Sequence, residues 1–376
     1  MKRMNSLDVI PFVDLKAQYS SIKEEIDEAL QRVIASAEFI GGSYVSKFEE
    51  EFAAYVGVKH CVGVGNGTDG LYIALKAVGV GVGDEVIVPA NTFIGTAEAV
   101  SLTGARVVFA DCDPKTYTVT VDTVSKVITS KTRAIVPVHL YGNPAPIIEL
   151  CEFAEKNNLF VIEDAAQAHG AMYKGAHIGS FGDAAVFSFY PGKNLGAYGD
   201  AGCIVTNNDE IAKYARMYSN HGRIKKYDHE FEGVNSRLDG IQAAVLSVKL
   251  KYLPQWTEKR RWLARKYSQL LSELPVVLPV ETTGGMHVYH LFVIRLKNRD
   301  IVKEKLAEMG IKTGVHYPVA LPNLKAYEYL KGGNACPVSE LFSREILSLP
   351  MYPELAESQL ARVCESLETI INEIYG

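Results

Sequence analysis

The sequence predicts a doubly wound α/β protein on a mostly parallel sheet, followed by a smaller α+β domain. Three observations carry that expectation. From residue 60 onward, short runs rich in Val and Ile alternate with helix-patterned segments. Several of these runs end in loops of small and polar residues, the usual address of ligands in open α/β sheets. The length of 376 residues exceeds one ordinary core at roughly 150 residues per domain.

The elements follow in order. Leu15, Ile22, Ile26, Leu30, Val33 and Ile34 recur at helical spacing among Lys23, Glu24 and Glu25, so residues 15–36 read as an amphipathic helix. Strands fit residues 61–65, 85–89, 106–110, 133–137 and 159–164, with helices at 68–78, 93–102 and 147–158 between them. Further strands fit 183–189 and 202–206, and a helix fits 209–218. Helical patterns at 239–252 and 255–273 are separated by Pro254, which cannot continue a helix from its interior. A strand at 288–296 and helices at 300–309 and 355–373 suffice for a small α+β domain. The expected division is 1–253 for the large domain and 254–376 for the small one.

Composition excludes several function classes. With 48% hydrophobic and 22% charged residues the chain is an ordinary globular one. Its 39 basic and 44 acidic residues give a net charge of −5, with no run of like charges, which argues against a nucleic-acid binder. The six cysteines include no C-x-x-C pair, so they read as reduced residues of a cytoplasmic protein, and no metal site is expected. The N-terminal stretch MKRMNSLDVIPFVDL lacks the apolar core of a leader, and nowhere do 18 apolar residues run together, so no membrane association is expected.

The glycine clusters first invite a dinucleotide site. Gly63, Gly65 and Gly67 are followed by Thr68 where the third glycine of G-x-G-x-x-G belongs, and the cluster from Gly79 to Gly83 also misses the register. Neither G-x-x-x-x-G-K-[ST], H-E-x-x-H nor G-x-S-x-G occurs, which removes the usual support for nucleotide-hydrolysing, zinc-protease and serine-hydrolase readings.

Four strand-end loops remain. The segment from Gly65 to Gly70 either makes a tight turn capped by Thr68 or Asp69, or offers the free N–H groups of a helix start to a phosphate. A helix dipole supplies only about 0.3–2 kcal/mol against the roughly 8 kcal/mol of micromolar binding, so a phosphate cup cannot act alone. Asp164, in the EDAAQAHG loop, either caps the next segment or keeps a heterocyclic nitrogen protonated. Lys193 lies in FYPGKNLG, between apolar and aromatic segments and tight glycine turns. A lysine so placed loses solvation, and its pKa falls from about 10.4 toward the range where the free amine is a nucleophile. Phe93, after EVIVPA, is either a core residue or a ring that stacks on a ligand. A phosphate cup, a carboxylate and a nucleophilic lysine at the ends of one sheet are the parts of a pyridoxal phosphate site.

At these residues the chain resembles the DegT/DnrJ/EryC1/StrS family of sugar aminotransferases, within the fold-type I, aspartate aminotransferase-like pyridoxal phosphate enzymes. The likeness runs from IPFVDL at 10–15 through NGTDGL, VPANTF, EDAAQAHGA, SFYPGKNLGAYGDAG and NSRLDGIQAA to VHYP at 315–318. It implies that Lys193 holds the cofactor aldehyde and later carries a proton, that Asp164 faces the pyridine nitrogen and that Gln167 meets the cofactor's 3-hydroxyl. By the same resemblance Gly67, Thr68 and Ser188 hold the phosphate, Phe93 stacks on the ring, and Asn235 reaches the phosphate from the partner in a homodimer with shared active sites. Some members carry histidine in place of the lysine and are dehydratases; Lys193 favours transamination. L-Glutamate would load the cofactor as its pyridoxamine form, which then aminates a nucleotide-linked ketosugar.

The SFYPGKNLG segment looks more like members that act on dTDP-3-keto-6-deoxyhexoses than like those that act at C4. His169, Tyr190, His316 and Tyr317 would then line the sugar pocket and Lys226 would meet the diphosphate. Gly240 and Gly70 depart from the family pattern, which commonly has Glu and Ala there. The alternatives are amination at C4, formation of an aminocyclitol, and a regulatory protein that keeps the fold without turnover.

Overall fold

The computed structural model describes residues 9–330 and 333–375. The leader reading rested partly on residues 1–8, which lie outside the described residues. Seven strands form the central sheet: β1 (His60–Val64), β2 (Glu85–Pro89), β3 (Arg106–Ala110), β4 (Thr132–Ile135), β5 (Phe160–Asp164), β6 (Ala184–Ser188) and β7 (Gly202–Thr206). Their order across the sheet is β1-β7-β6-β5-β4-β2-β3. Only β7 is antiparallel to its neighbours, so β1, β2, β5 and β6 deliver their carboxyl ends to the same edge.

Both faces of this sheet are covered, which is why its strands read as unbroken apolar runs. The period-2 alternation of a strand sends neighbouring residues to opposite cores. Ala185 and Phe187 of β6, with Cys203 and Val205 of β7, join Phe48 and Phe52 on one side. Ala184, Val186 and Ile204 join Leu71, Ile73 and Leu75 on the other.

The structure differs from the sequence reading in several elements, and it adds helix Pro337–Glu345 and a strand at Ile346–Leu349 where none were expected. The expected helix 15–36 is two helices, Leu15–Ser21 and Lys23–Ser36, parted at Ile22, whose φ of −130° leaves the helical range. A helix at Ser43–Val56 was not expected; it buries Phe48, Phe52 and Val56. The strand expected over 288–296 is confined to β8 (Phe292–Arg295), which pairs antiparallel with β9 (Ile346–Leu349).

Pro254 sits in the first turn of helix Leu253–Leu270, where its missing N–H costs nothing. That helix, β8, β9 and helix Glu357–Tyr375 enclose a separate core that includes Tyr267, Phe292, Leu347 and Leu367. Ile10 completes it, bridged to Ile311. Residues from both sides of the expected 253/254 division therefore share this core. No helix among the described residues is long and apolar enough to cross a membrane.

Candidate active site

Lys193 stands in the connection between β6 and β7, where the chain doubles back without a crossover helix. Its backbone N–H donates to the Tyr190 carbonyl at 2.8 Å, and Ala197 donates to Phe189 at 2.8 Å. Gly196 makes that turn possible, because a Cβ there would lie 2.3 Å from the Pro191 carbonyl oxygen. Burial pushes the Lys193 amine down to about 8, opposed by the attraction of Asp164. Near neutral pH a useful fraction of it is the unprotonated nucleophile.

Asp164 ends β5 and is almost wholly buried. The Thr96 hydroxyl donates to its Oδ2 at 2.7 Å and the Ala166 N–H to its Oδ1 at 3.1 Å. Burial raises its carboxyl pKa, while Thr96, Ala166, Lys193 and His139 pull the other way. The result is a held carboxylate within electrostatic reach of the reactive amine, able to keep a proton on a basic nitrogen placed against it.

The loop expected to cup a phosphate leads into helix Gly67–Ala77, capped by Asn66, whose side chain accepts from the Asp69 N–H at 2.8 Å. A Cβ on Gly67 would come within 2.9 Å of Ser188 Cβ. Gly95 likewise admits no Cβ, since Thr68 Oγ1 would lie 2.7 Å away. These close approaches bring Gly67, Thr68 and Ser188 together with the loop of Phe93, which is 52% exposed and free to face a ligand. Tyr317 leans toward the Phe93 ring at 5.6 Å between centroids.

Gln167 is fixed from two sides. Its Oε1 accepts from the Tyr141 N–H at 2.6 Å, and its Nε2 donates to the Tyr317 hydroxyl at 3.2 Å. Tyr141 reaches it from a left-handed conformation, φ 61°, uncommon for so large a residue. The second Nε2 proton remains available to a phenolate or hydroxyl oxygen. This donor set, a depressed amine, a buried carboxylate, an anion cup closed by glycines and an open aromatic face, fits pyridoxal phosphate.

The expected sugar-pocket residues separate. Tyr190 is 60% exposed beside the lysine turn. His316 is half-buried, with its Nδ1 2.8 Å from Ser348 Oγ, and burial next to Lys193 lowers its pKa to about 4. His169 has no exposed surface, packs against Phe187 and Phe189, and feels the charge of Lys193, which together with burial lowers its pKa to about 3. Lys226 sits on an exposed hairpin (Arg223–Lys225 with Asp228–His229), over the Tyr227 ring. Asn235 is exposed, while its neighbour Ser236 accepts from the Gly65 N–H at 2.9 Å and donates to Asp69 at 2.7 Å, bracing the cup.

Sequence reasoning missed Thr96, Tyr141, Ser236 and the pair in which His290 Nδ1 donates to Asn194 Oδ1 at 3.2 Å. Thr96 left one signal, its spacing of four from Thr92 at a helix start, and the two hydroxyls lie 3.2 Å apart. The departures from the family pattern are packing features. A Cβ on Gly240 would meet the Glu38 carbonyl oxygen at 2.1 Å, and one on Gly70 would meet Val186 at 2.7 Å.

A desolvated lysine near a buried carboxylate on a doubly wound sheet is an arrangement able to take up an aldehyde group. The chain belongs to the DegT/DnrJ/EryC1/StrS aminotransferase family, whose model matches residues 20–368. It is 47% identical to a protein named pleiotropic regulatory protein from Geobacillus stearothermophilus, over 95% of this chain and 97% of the relative. It is 45% identical to dTDP-3-amino-3,6-dideoxy-alpha-D-galactopyranose transaminase from Aneurinibacillus thermoaerophilus, over 96% and 99%. Among solved structures, DesV from S. venezuelae in complex with a ketimine intermediate superposes with a TM-score of 0.94 at 44% identity, covering 96% of this chain and 98% of that one. The fold is the fold-type I architecture that the resemblance implied.

Proposed function

We propose that this aminotransferase holds pyridoxal phosphate at Lys193 and moves an amino group from L-glutamate to the keto carbon of a dTDP-linked 3-keto-6-deoxyhexose. The observation that carries the reading is the Lys193 amine, depressed to about 8 and paired electrostatically with buried Asp164. When bound, the cofactor stores the amino group and accepts electrons from the bond broken at the substrate carbon.

The chain's own residues do the rest. Lys193 supplies the nucleophile and, once released, moves the proton at the substrate carbon. Asp164 holds the pyridine proton, with Thr96 donating to its far oxygen. Gln167 would donate its spare amide N–H as a hydrogen bond to the cofactor's 3-oxygen. Gly67, Thr68 and Ser188 bind the phosphate, and Phe93 covers the ring face. Tyr190, His316 and Tyr317 contact the sugar, and His316 stays neutral above about pH 4, so it recognises hydroxyls as a neutral ring. Asn235 and Lys226 are exposed and suit a homodimer in which each copy completes the other's pocket. Two substrates then use one cofactor in turn, a ping-pong scheme. Six unpaired cysteines suit a reducing cytoplasm.

The test is product mass spectrometry with glutamate and a panel of dTDP-, UDP- and GDP-linked 3-keto and 4-keto sugars. The expected result is a 3-amino product from the dTDP sugar; amination only of a 4-keto sugar would reject the C3 assignment. The name of the Geobacillus relative favours a second reading, a regulatory protein without turnover. Cofactor-loaded protein that forms no 2-oxoglutarate with any of these sugars would favour it.

A further inference from the structure

Lys249 is a second buried lysine that the proposed chemistry leaves unused. Its side chain has no exposed surface, which lysines almost never tolerate without an anionic partner. No carboxylate lies within ion-pair distance of it among the described residues; Glu354 acts on it only at longer range. Instead its Nζ donates to the Gly196 carbonyl at 2.7 Å and lies 4.2 Å from the centre of the Tyr198 ring. Burial lowers its pKa to about 8.

Lys249 shares a helix, Gly240–Leu250, with Gln242. A separation of seven residues is close to two full turns, so both side chains leave the same face. Gln242 Oε1 accepts from the Tyr198 N–H at 2.8 Å. Gly199 lies against the same amide, where a Cβ would come within 2.9 Å of Gln242 Nε2. One helix face therefore grips the turn after Lys193 at two points two residues apart, the carbonyl of Gly196 and the N–H of Tyr198. That turn has few bonds of its own, and the Gly196 carbonyl is buried. Without Lys249 it would lose its donor, and the turn would relax toward water.

We propose that Lys249 is a positioning residue for Lys193: with Gln242 it pins the turn from Gly196 to Tyr198 and thereby aims the reactive amine at the cofactor aldehyde. The inference rests on Lys193 being the residue that takes that aldehyde. A cation does here what a neutral donor would do less well, since a charge-assisted hydrogen bond is roughly twice as strong as a neutral one.

The test is titration of the purified full chain with pyridoxal phosphate, following the visible absorbance band across pH, with borohydride fixation and peptide mapping. Lys249→Met keeps the buried volume and removes the donor. It is expected to weaken cofactor capture about tenfold and to displace the pH midpoint of the band, with the label still on Lys193. A Lys249→Met protein with the affinity and pH midpoint of the parent overturns the proposal. If Lys249→Met fails to fold by circular dichroism, Gln242→Ala decides, from a half-buried position on the other anchor. About threefold weaker capture supports the proposal and unchanged capture overturns it. A parent protein that forms no band at all rejects the role of Lys193 itself, an outcome distinct from either.

Discussion

Thr96 shows what the site demands of single residues. A hydrogen bond to a charged group contributes about 1.5–3 kcal/mol, and Thr96 supplies one of the two that Asp164 receives from the protein. Thr96→Val is expected to raise the Asp164 pKa further and to lower turnover about tenfold, with the melting temperature nearly unchanged; steady-state rates across pH would check it. Lys193, Asp164 and Gln167 were legible in the sequence because each follows an apolar strand run, so the site's place was written locally. Thr96 was not, since it lies 68 residues from Asp164; nor was Tyr141, 26 residues from Gln167. Those contacts exist only once β2, β4 and β5 stand side by side. His169 belongs to the same loop as Gln167, and its packing on Phe187 and Phe189 likewise appears only in the folded chain.

Elements were read best where periodicity was strong and long. The strands of the sheet were visible as apolar runs, but the sense of β7 was not, because a strand buried on both faces looks the same in either direction. Helix Ser43–Val56 carried a readable spacing in Val45, Phe48, Phe52 and Val56, whereas the four residues of β9 offered too short a run to distinguish strand from helix. Gly240 illustrates an element boundary set by a distant backbone: its N–H donates to the Phe39 carbonyl at 2.8 Å, and the Glu38 carbonyl occupies the place of a side chain. Gly240→Ala is expected to destabilise the fold by about 1–3 kcal/mol, as overpacking against backbone does. Urea unfolding measures it, and a midpoint equal to the parent's would show that this helix start yields without strain.

The whole molecule carries a pH dependence in its buried histidines. His169 and His287 are held down to about 3, both by burial, against an ordinary value near 6.5. The unfolded chain therefore binds more protons than the folded one below that value, and each such histidine removes about 1.4 kcal/mol of stability per pH unit as pH falls from 6.5 toward 3. Asp164 and Glu354, whose pKa values burial raises, work in the other direction. Denaturant unfolding at pH 7, 6 and 5 should show stability falling, with a shallower slope in His169→Phe; equal slopes in the two proteins would place the proton uptake elsewhere.

The sharpest measurement at this scale uses the two buried lysines, Lys193 and Lys249, both depressed to about 8. Pyridoxal phosphate is added, borohydride fixes whatever amine has reacted, and peptides are mapped by mass at several pH values. The account requires the label on Lys193, with a capture rate that rises as pH passes 8 and levels above it. A label on Lys249, or a protein left unlabelled, contradicts it.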